Sequence, residues 1–446
     1  MQHLWRRICP FATDSAGAIG VFANCDAHVL PCDPSGTAAS YWRNDRRDPE
    51  NFFVSRIPMS NSAFTLGNDE DFMAAYHREL EGSDPEFIVL VDTPLTAQVG
   101  VDLHRYAAML EAEYERPVLA VSTTANLFYD NGAQDALMAL YDRCIPEDSR
   151  SDMLEECSQE GFYDDSVNFL GVSLLDFGDD AYITSLLDAA YAKGLDVIST
   201  WGLQRSLSEL DEAPFAERNI VASASGLKLA RAMERDFTIP YCTLEDSGLF
   251  DNAVDGLALR YNAKILIVGE QVTGNLVRSL IERMAAPGVE VQVLVATFYT
   301  LDDEIAREGD MRWTDEDAME QAMRECSYDM VIADKVLETL TPKGMRHLVY
   351  PLGHNATSGH CLVYDQHGNP LDREWLKGIA DAIARENKTS FTTMSPNEPR
   401  GAAGLRRPNR RPRGQEPQQE LELPQEEPEL QQELELQQEE PELPQE

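Results

Sequence analysis

Short continuous apolar runs, separated by longer stretches of helical period, set the pattern of this chain. Phe87-Ile88-Val89-Leu90-Val91 reads as a buried strand, residues 102–114 as a helix, and Pro117-Val118-Leu119-Ala120-Val121 as the next strand. A strand covered on both faces loses the alternation of a half-exposed one, so such runs point to parallel strands flanked by helices. The pattern returns at Val167-Asn168-Phe169-Leu170-Gly171-Val172 with a helix over 181–193, at Asp196-Val197-Ile198, and at Asn219-Ile220-Val221 with a helix over 227–235. A third set runs from Lys264-Ile265-Leu266-Ile267-Val268-Gly269, with a helix reaching 284, through 289–296, 330–333 and 347–350. Ahead of all three, Asp69, Glu70 and Asp71 open a helix to residue 80, where acidic residues suit the N-terminal dipole.

This alternation predicts an α/β fold of three doubly wound parallel-sheet, Rossmann-like domains, over 1–165, 166–262 and 263–387. Trp375, Leu376, Ile379, Ala380 and Ile383 form one stripe over 372–386, a closing helix that packs back on a domain. From 388 to 446 the composition changes to an arginine block (Arg406, Arg407, Arg410, Arg411, Arg413) and then to glutamine, glutamate, proline and leucine in imperfect repeats. Without apolar diversity that tail cannot bury a core, and it is expected to be disordered.

Charge narrows the function classes. A formal net charge of −41 over 446 residues repels a phosphate backbone, which argues against nucleic-acid binding. No stretch approaches the length of a membrane span, so a cytoplasmic protein away from membranes is expected. Eight scattered cysteines in a chain of this size are expected to be thiols, buried or metal-bound, rather than a disulfide framework.

Candidate chemistry sits in two places. Residues 9–43 carry Cys9, Cys25 and Cys32 among glycines and prolines, without a sustained helical period. Thiolates on loops are the ligands an iron–sulfur cluster uses, and three reduced cysteines packed as small hydrophobes are the alternative. No C-x-x-C pair is present. The second place is Pro351-Leu352-Gly353-His354-Asn355-Ala356-Thr357-Ser358-Gly359-His360-Cys361, directly after a predicted strand, where open α/β sheets bind ligands. His354 there is a catalytic or metal-ligating candidate, or a loop histidine bonded to backbone. The turn Gly269-Glu270-Gln271-Val272-Thr273-Gly274-Asn275 has the form of an anion cradle, although it lacks G-x-G-x-x-G and a Walker lysine.

In their order along the chain these landmarks resemble the nitrogenase component 1 type family, which includes nitrogenase and dark-operative protochlorophyllide reductase subunits. Cys9-Pro10-Phe11-Ala12 resembles the first cluster cysteine of that family, and Cys32-Asp33-Pro34-Ser35-Gly36-Thr37 its His-Gly-Pro-x-Gly-Cys segment. Ala63-Phe64-Thr65-Leu66-Gly67 with its acidic helix, Thr93-Pro94-Leu95-Thr96-Ala97-Gln98-Val99-Gly100-Val101-Asp102, the strand at Val167 and that at Lys264 are similar to later family elements. The likeness spans roughly residues 1–385.

The resemblance implies an oxidoreductase subunit that passes electrons through an iron–sulfur cluster to a small-molecule substrate near His354. It implies Cys9, Cys25, Cys32 and Gly36 as cofactor-binding positions, with the thiols and His354 as metal ligands. It also implies a related component 1 type subunit as partner, in a heterotetramer or homodimer, and an ATP-dependent iron protein as reductase. Cys242 is a loose counterpart of a further cluster cysteine. The chain departs from the family where Thr37 and Thr93 or Pro94 replace the second and third cluster cysteines. Cys25 and Cys32 would then act as relocated ligands. Two other roles stay open: a metallocluster scaffold or carrier, and a cluster-free binding subunit of the same fold.

Overall fold

Valine and isoleucine fill the strands because branching at Cβ favours extended backbone and packs well on a pleated surface. The computed structural model describes residues 5–8, 10–22, 24–34, 57–59, 69–82, 84–124, 127–177, 180–342, 348–358 and 369–393. All of them fall in one compact unit, residues 1–394.

Among the described residues, thirteen strands form three sheets. The first has β1 (Ala27–Pro34), β2 (Ile57–Met59), β3 (Phe87–Val91) and β4 (Val118–Val121), in the order β2-β1-β3-β4. The second has β5 (Tyr163–Leu170), β6 (Asp196–Trp201), β7 (Ala216–Val221) and β8 (Tyr241–Thr243), in the order β6-β5-β7-β8. The third has β9 (Ala263–Val268), β10 (Val291–Thr297), β11 (Met311–Arg312), β12 (Met330–Ala333) and β13 (Leu348–Pro351), in the order β11-β10-β9-β12-β13. Every ladder between these strands is parallel. Parallel neighbours need crossovers, and helices such as Leu103–Tyr114 and Gln271–Arg283 supply them. The α/β class with parallel sheets is therefore as the apolar runs predict. One hydrophobic core nevertheless runs through all three sheets, joining Phe87, Phe169, Ile220, Ile265 and Ile332. Among the described residues no helix is long and apolar enough to cross a membrane.

The N-terminal run differs from its reading as loop. Asp14–Val21 is a helix and Ala27–Pro34 is the central strand β1. The helix shows no amphipathic period because all eight of its residues are buried. It crosses the helix Tyr129–Cys144 at backbone distance. A Cβ on Gly17 would lie 1.8 Å from the Tyr129 carbonyl oxygen, and one on Gly132 would lie 1.7 Å from that of Asp14.

The closing helix packs on the third sheet as its stripe predicts: Tyr350 of β13 donates to the Trp375 carbonyl (2.8 Å), and Trp375 Nε1 donates to the Pro351 carbonyl (2.9 Å). It runs over Arg373–Thr393, past the expected end at Glu386, because no proline or glycine lies between Glu386 and Pro396. The rest of the tail lies outside the described residues.

Candidate functional site

In each sheet the winding direction reverses between two central strands: β1 and β3, β5 and β7, β9 and β12. Crevices open at the carboxyl ends of such strands. Several buried polar side chains follow these strands: Asp92 and Thr93 after β3, Ser173 and Asp176 after β5, Ser223 and Ser225 after β7, Glu270 after β9, and Asp334 after β12.

His354 is brought into this group by the turn after β13. Its backbone N–H donates to Asp334 Oδ2 (2.9 Å), which pins the turn to the neighbouring strand. Its Nε2 lies 3.3 Å from the Tyr129 hydroxyl, and that hydroxyl donates to Asp176 Oδ1 at 2.5 Å. Ser173 Oγ donates to the other oxygen of Asp176 (2.6 Å). Tyr299 and Thr357 join hydroxyls at 2.6 Å. The result is a hydrogen-bonded relay, imidazole to phenol to carboxylate, closed off from solvent.

Burial sets the electrostatics. It raises the pKa of Asp176 to about 7, with the nearby Glu270 charge adding to the effect. The same desolvation lowers His354 to about 3, so the imidazole is neutral over the whole physiological range. Such a group can hold and share a proton.

Glu270 fills the cradle that the Gly269–Asn275 turn forms. Its carboxylate accepts the N–H groups of Val272, Thr273 and Ala224, each at 2.8 Å. The helix N-terminus is thus satisfied by its own side chain.

Aromatic rings occupy the space around His354. Tyr129 and Tyr299 have centroids 5.3 and 5.4 Å from the imidazole. Phe11 packs on Tyr299 (5.8 Å) and Phe298 (5.2 Å), and Trp5 lies behind it at 4.6 Å. The N-terminal strap carrying these rings is held by Glu316, whose Oε1 accepts the backbone N–H groups of Arg6, Arg7 and Ile8 (3.1, 2.9 and 3.0 Å).

The structure does not bring the described cysteine candidates together. Cys25 precedes β1 and Cys32 lies near its far end, roughly 20 Å apart at the rise of an extended strand. Cys25 Sγ faces the Gln204 carbonyl (3.3 Å), and burial pushes its thiol up to about 12, against thiolate formation. Cys32 is fully buried with its sulfur 3.1 Å from the Tyr76 hydroxyl. The two thiols thus meet different neighbours, Gln204 and Tyr76. Thr93 caps the helix Pro94–Val99 and donates to the Cys32 carbonyl (2.7 Å). Cys242 sits in the edge strand β8, packed against the main core. Cys9, Gly36, His360 and Cys361 lie outside the described residues. Among those described, no group of three or more histidine, cysteine or acidic side chains is placed to hold a metal. The donor set around His354, two tyrosines and one carboxyl, does not fit an iron–sulfur cluster, which wants thiolates.

Sequence reasoning placed His354 near a strand end but missed Tyr129, Asp176, Tyr299 and Asp334. The available signal was an acidic residue at or just past the carboxyl end of a strand, as with Asp92, Glu270 and Asp334. Away from this centre, an open cleft of about 990 Å³ lies between β6, Leu187 and Tyr191 of the helix Asp180–Ala192, and Gln204, which forms the wall in front of Cys25.

Residues 35–251 match the family model described as Nitrogenase component 1 type Oxidoreductase. All three candidate cysteines precede that span. Two of the solved structures that share the fold are both titled as nitrogenase Cp1. "Nitrogenase Cp1 at pH 6.5" aligns with a TM-score of 0.61 and 11% identity over 89% of this chain and 96% of its own. "Nitrogenase Cp1 at pH 5" aligns with a TM-score of 0.57 and 16% identity over 89% of this chain and 93% of its own. Comparison with curated proteins returned no match.

Proposed function

Because the chain is a divergent member of the nitrogenase component 1 type oxidoreductases, we propose that it is a cluster-free subunit of a nitrogenase-like assembly. In this reading it pairs with a related component 1 type subunit, and an ATP-dependent iron protein delivers electrons to that partner, where a small molecule is reduced. The observation that carries the reading is the filled centre: the strand ends of the second and third sheets close on His354, Tyr129 and Tyr299, with Phe11 and Trp5 packed behind. These side chains occupy the space by packing, and the described donors are hydroxyl, carboxyl and imidazole rather than thiolate. The Tyr129–Asp176–His354 relay then serves to lock the strap and the turn after β13 in place.

The test is iron and acid-labile sulfide content, with an EPR spectrum, on anaerobically purified protein, alone and co-expressed with a related subunit. Neither preparation should show metal that depends on this chain's thiols, while the two subunits should co-purify. Stoichiometric iron and sulfide lost in Cys9→Ala would overturn the reading.

That outcome would support a second reading, favoured by the oxidoreductase description of the matched family. The chain would then pass electrons through an iron–sulfur centre near Cys9, shared with its partner, to a substrate near His354. Transfer of bound metal to an apoprotein without turnover would instead mark a metallocluster carrier.

A further inference from the structure

We propose that the surface around Phe162 and Tyr163 docks a basic, arginine-bearing segment of a partner protein. It lies where β5 begins, at the opposite end of that strand from Asp176, and is independent of the reading above. The first three residues of β5, Tyr163 to Asp165, are exposed while the remaining five are buried, so the strand protrudes beyond the core. Few large apolar side chains of the described chain are exposed, and two of them are adjacent here: Phe162 at 40% and Tyr163 at 39%. The Tyr163 ring stacks on Phe215, with centroids 5.6 Å apart and planes 18° from parallel. Exposed aromatic faces of this kind take a guanidinium by stacking and cation–π attraction.

The rim supplies the matching charge. Residues 151–165 contain six acidic residues and no lysine or arginine. Asp152, Glu155, Glu156, Asp164 and Asp165 are exposed, and Cys157 turns the inner face of the helix Arg150–Glu160 onto Pro214 (Sγ to carbonyl, 3.4 Å). The preceding cation, Arg150, is directed inward onto Asp142 (2.5 Å) and Asp236 (3.3 Å), and no ion pair to this rim is formed among the described residues. Glu217 of the neighbouring strand adds to it while accepting the Asp165 N–H (3.0 Å). An apolar centre within an acidic rim selects a cationic partner, and the stack selects arginine over lysine.

The experiment is fluorescence anisotropy on the full chain with a labelled peptide of alternating arginine and glycine and with its lysine counterpart. The arginine peptide should bind more tightly, and raised salt should weaken both. Tyr163→Ser should remove the arginine preference, roughly three-fold in Kd, while Tyr163→Phe keeps it. Glu155→Lys with Asp164→Lys should weaken both peptides about ten-fold, a factor worth ~1.4 kcal/mol. Glu70→Lys with Asp71→Lys, on the exposed face of the helix Asp69–Leu80, should change neither. Equal loss in that control, or unchanged binding in the surface variants, would mean only the general acidity of the chain and overturn the proposal.

Discussion

Asp176 and His354 titrate in opposite senses within one buried group. The folded carboxyl, at about 7, keeps a proton that an unfolded aspartate has released above its ordinary value of 3.8. Stability from this group therefore falls as pH rises through that window and stays lower above it. The folded imidazole, at about 3, refuses a proton that an unfolded histidine takes up below 6.5, so its contribution falls as pH drops. The two trends offset each other between pH 4.5 and about 6.5. Asp176→Asn keeps an oxygen for Tyr129 and removes only the first trend: its melting temperature relative to the parent should rise as pH goes from 4.5 to 7. His354→Gln should show the reverse, gaining on the parent as pH falls. Thermal melts across this range decide the matter, and two flat differences would show that neither group is held off its ordinary pKa. The offset arises in space, since Asp176 and His354 sit on different sheets and no local pattern links them.

At the scale of elements, the helix pair Asp14–Val21 and Tyr129–Cys144 is the tightest crossing. Gly132→Ala places a methyl group against the Asp14 carbonyl, and overpacking of this kind costs about 2 kcal/mol or more. A drop of several degrees in melting temperature should follow, and an unchanged melt would show that the helices separate without cost. The strap is the second test. Burial works to raise the pKa of Glu316, but three backbone N–H donors and Arg7 outweigh it and hold it below the usual carboxylate range. Its contribution is present above the unfolded value and is lost as pH falls through the folded one. Glu316→Gln should cost about 1–2 kcal/mol at neutral pH, with the deficit shrinking on acidification and faster hydrogen exchange at Arg6, Arg7 and Ile8. Exchange unchanged in the variant would mean that the strap is held by its aromatic rings alone. Both elements were hard to read from the chain. A helix buried on every side carries no period, and a strap without regular structure carries no pattern.

Over the whole molecule, local patterning was enough for the α/β class, the parallel sheets and most of the helices between them. Buried parallel strands must be continuous apolar runs, and the crossover helices announce themselves by their caps and stripes. The closing stripe from Trp375 to Ile383 likewise foretold a helix docked on the third sheet. His354 could be placed near a site because the loop after a parallel strand lies at a predictable edge. Its partners could not, because Tyr129 and Asp176 come from segments far away in sequence and meet it only when the sheets share one core. The cysteines show the same division. Their spacing leaves Cys25 and Cys32 open as a pair, whereas only the fold shows that Cys25 faces Gln204 and Cys32, inside β1, faces Tyr76. Periodicity is set by neighbours along the chain, whereas a site is set by which strand ends face one another, and that is decided by packing between sheets.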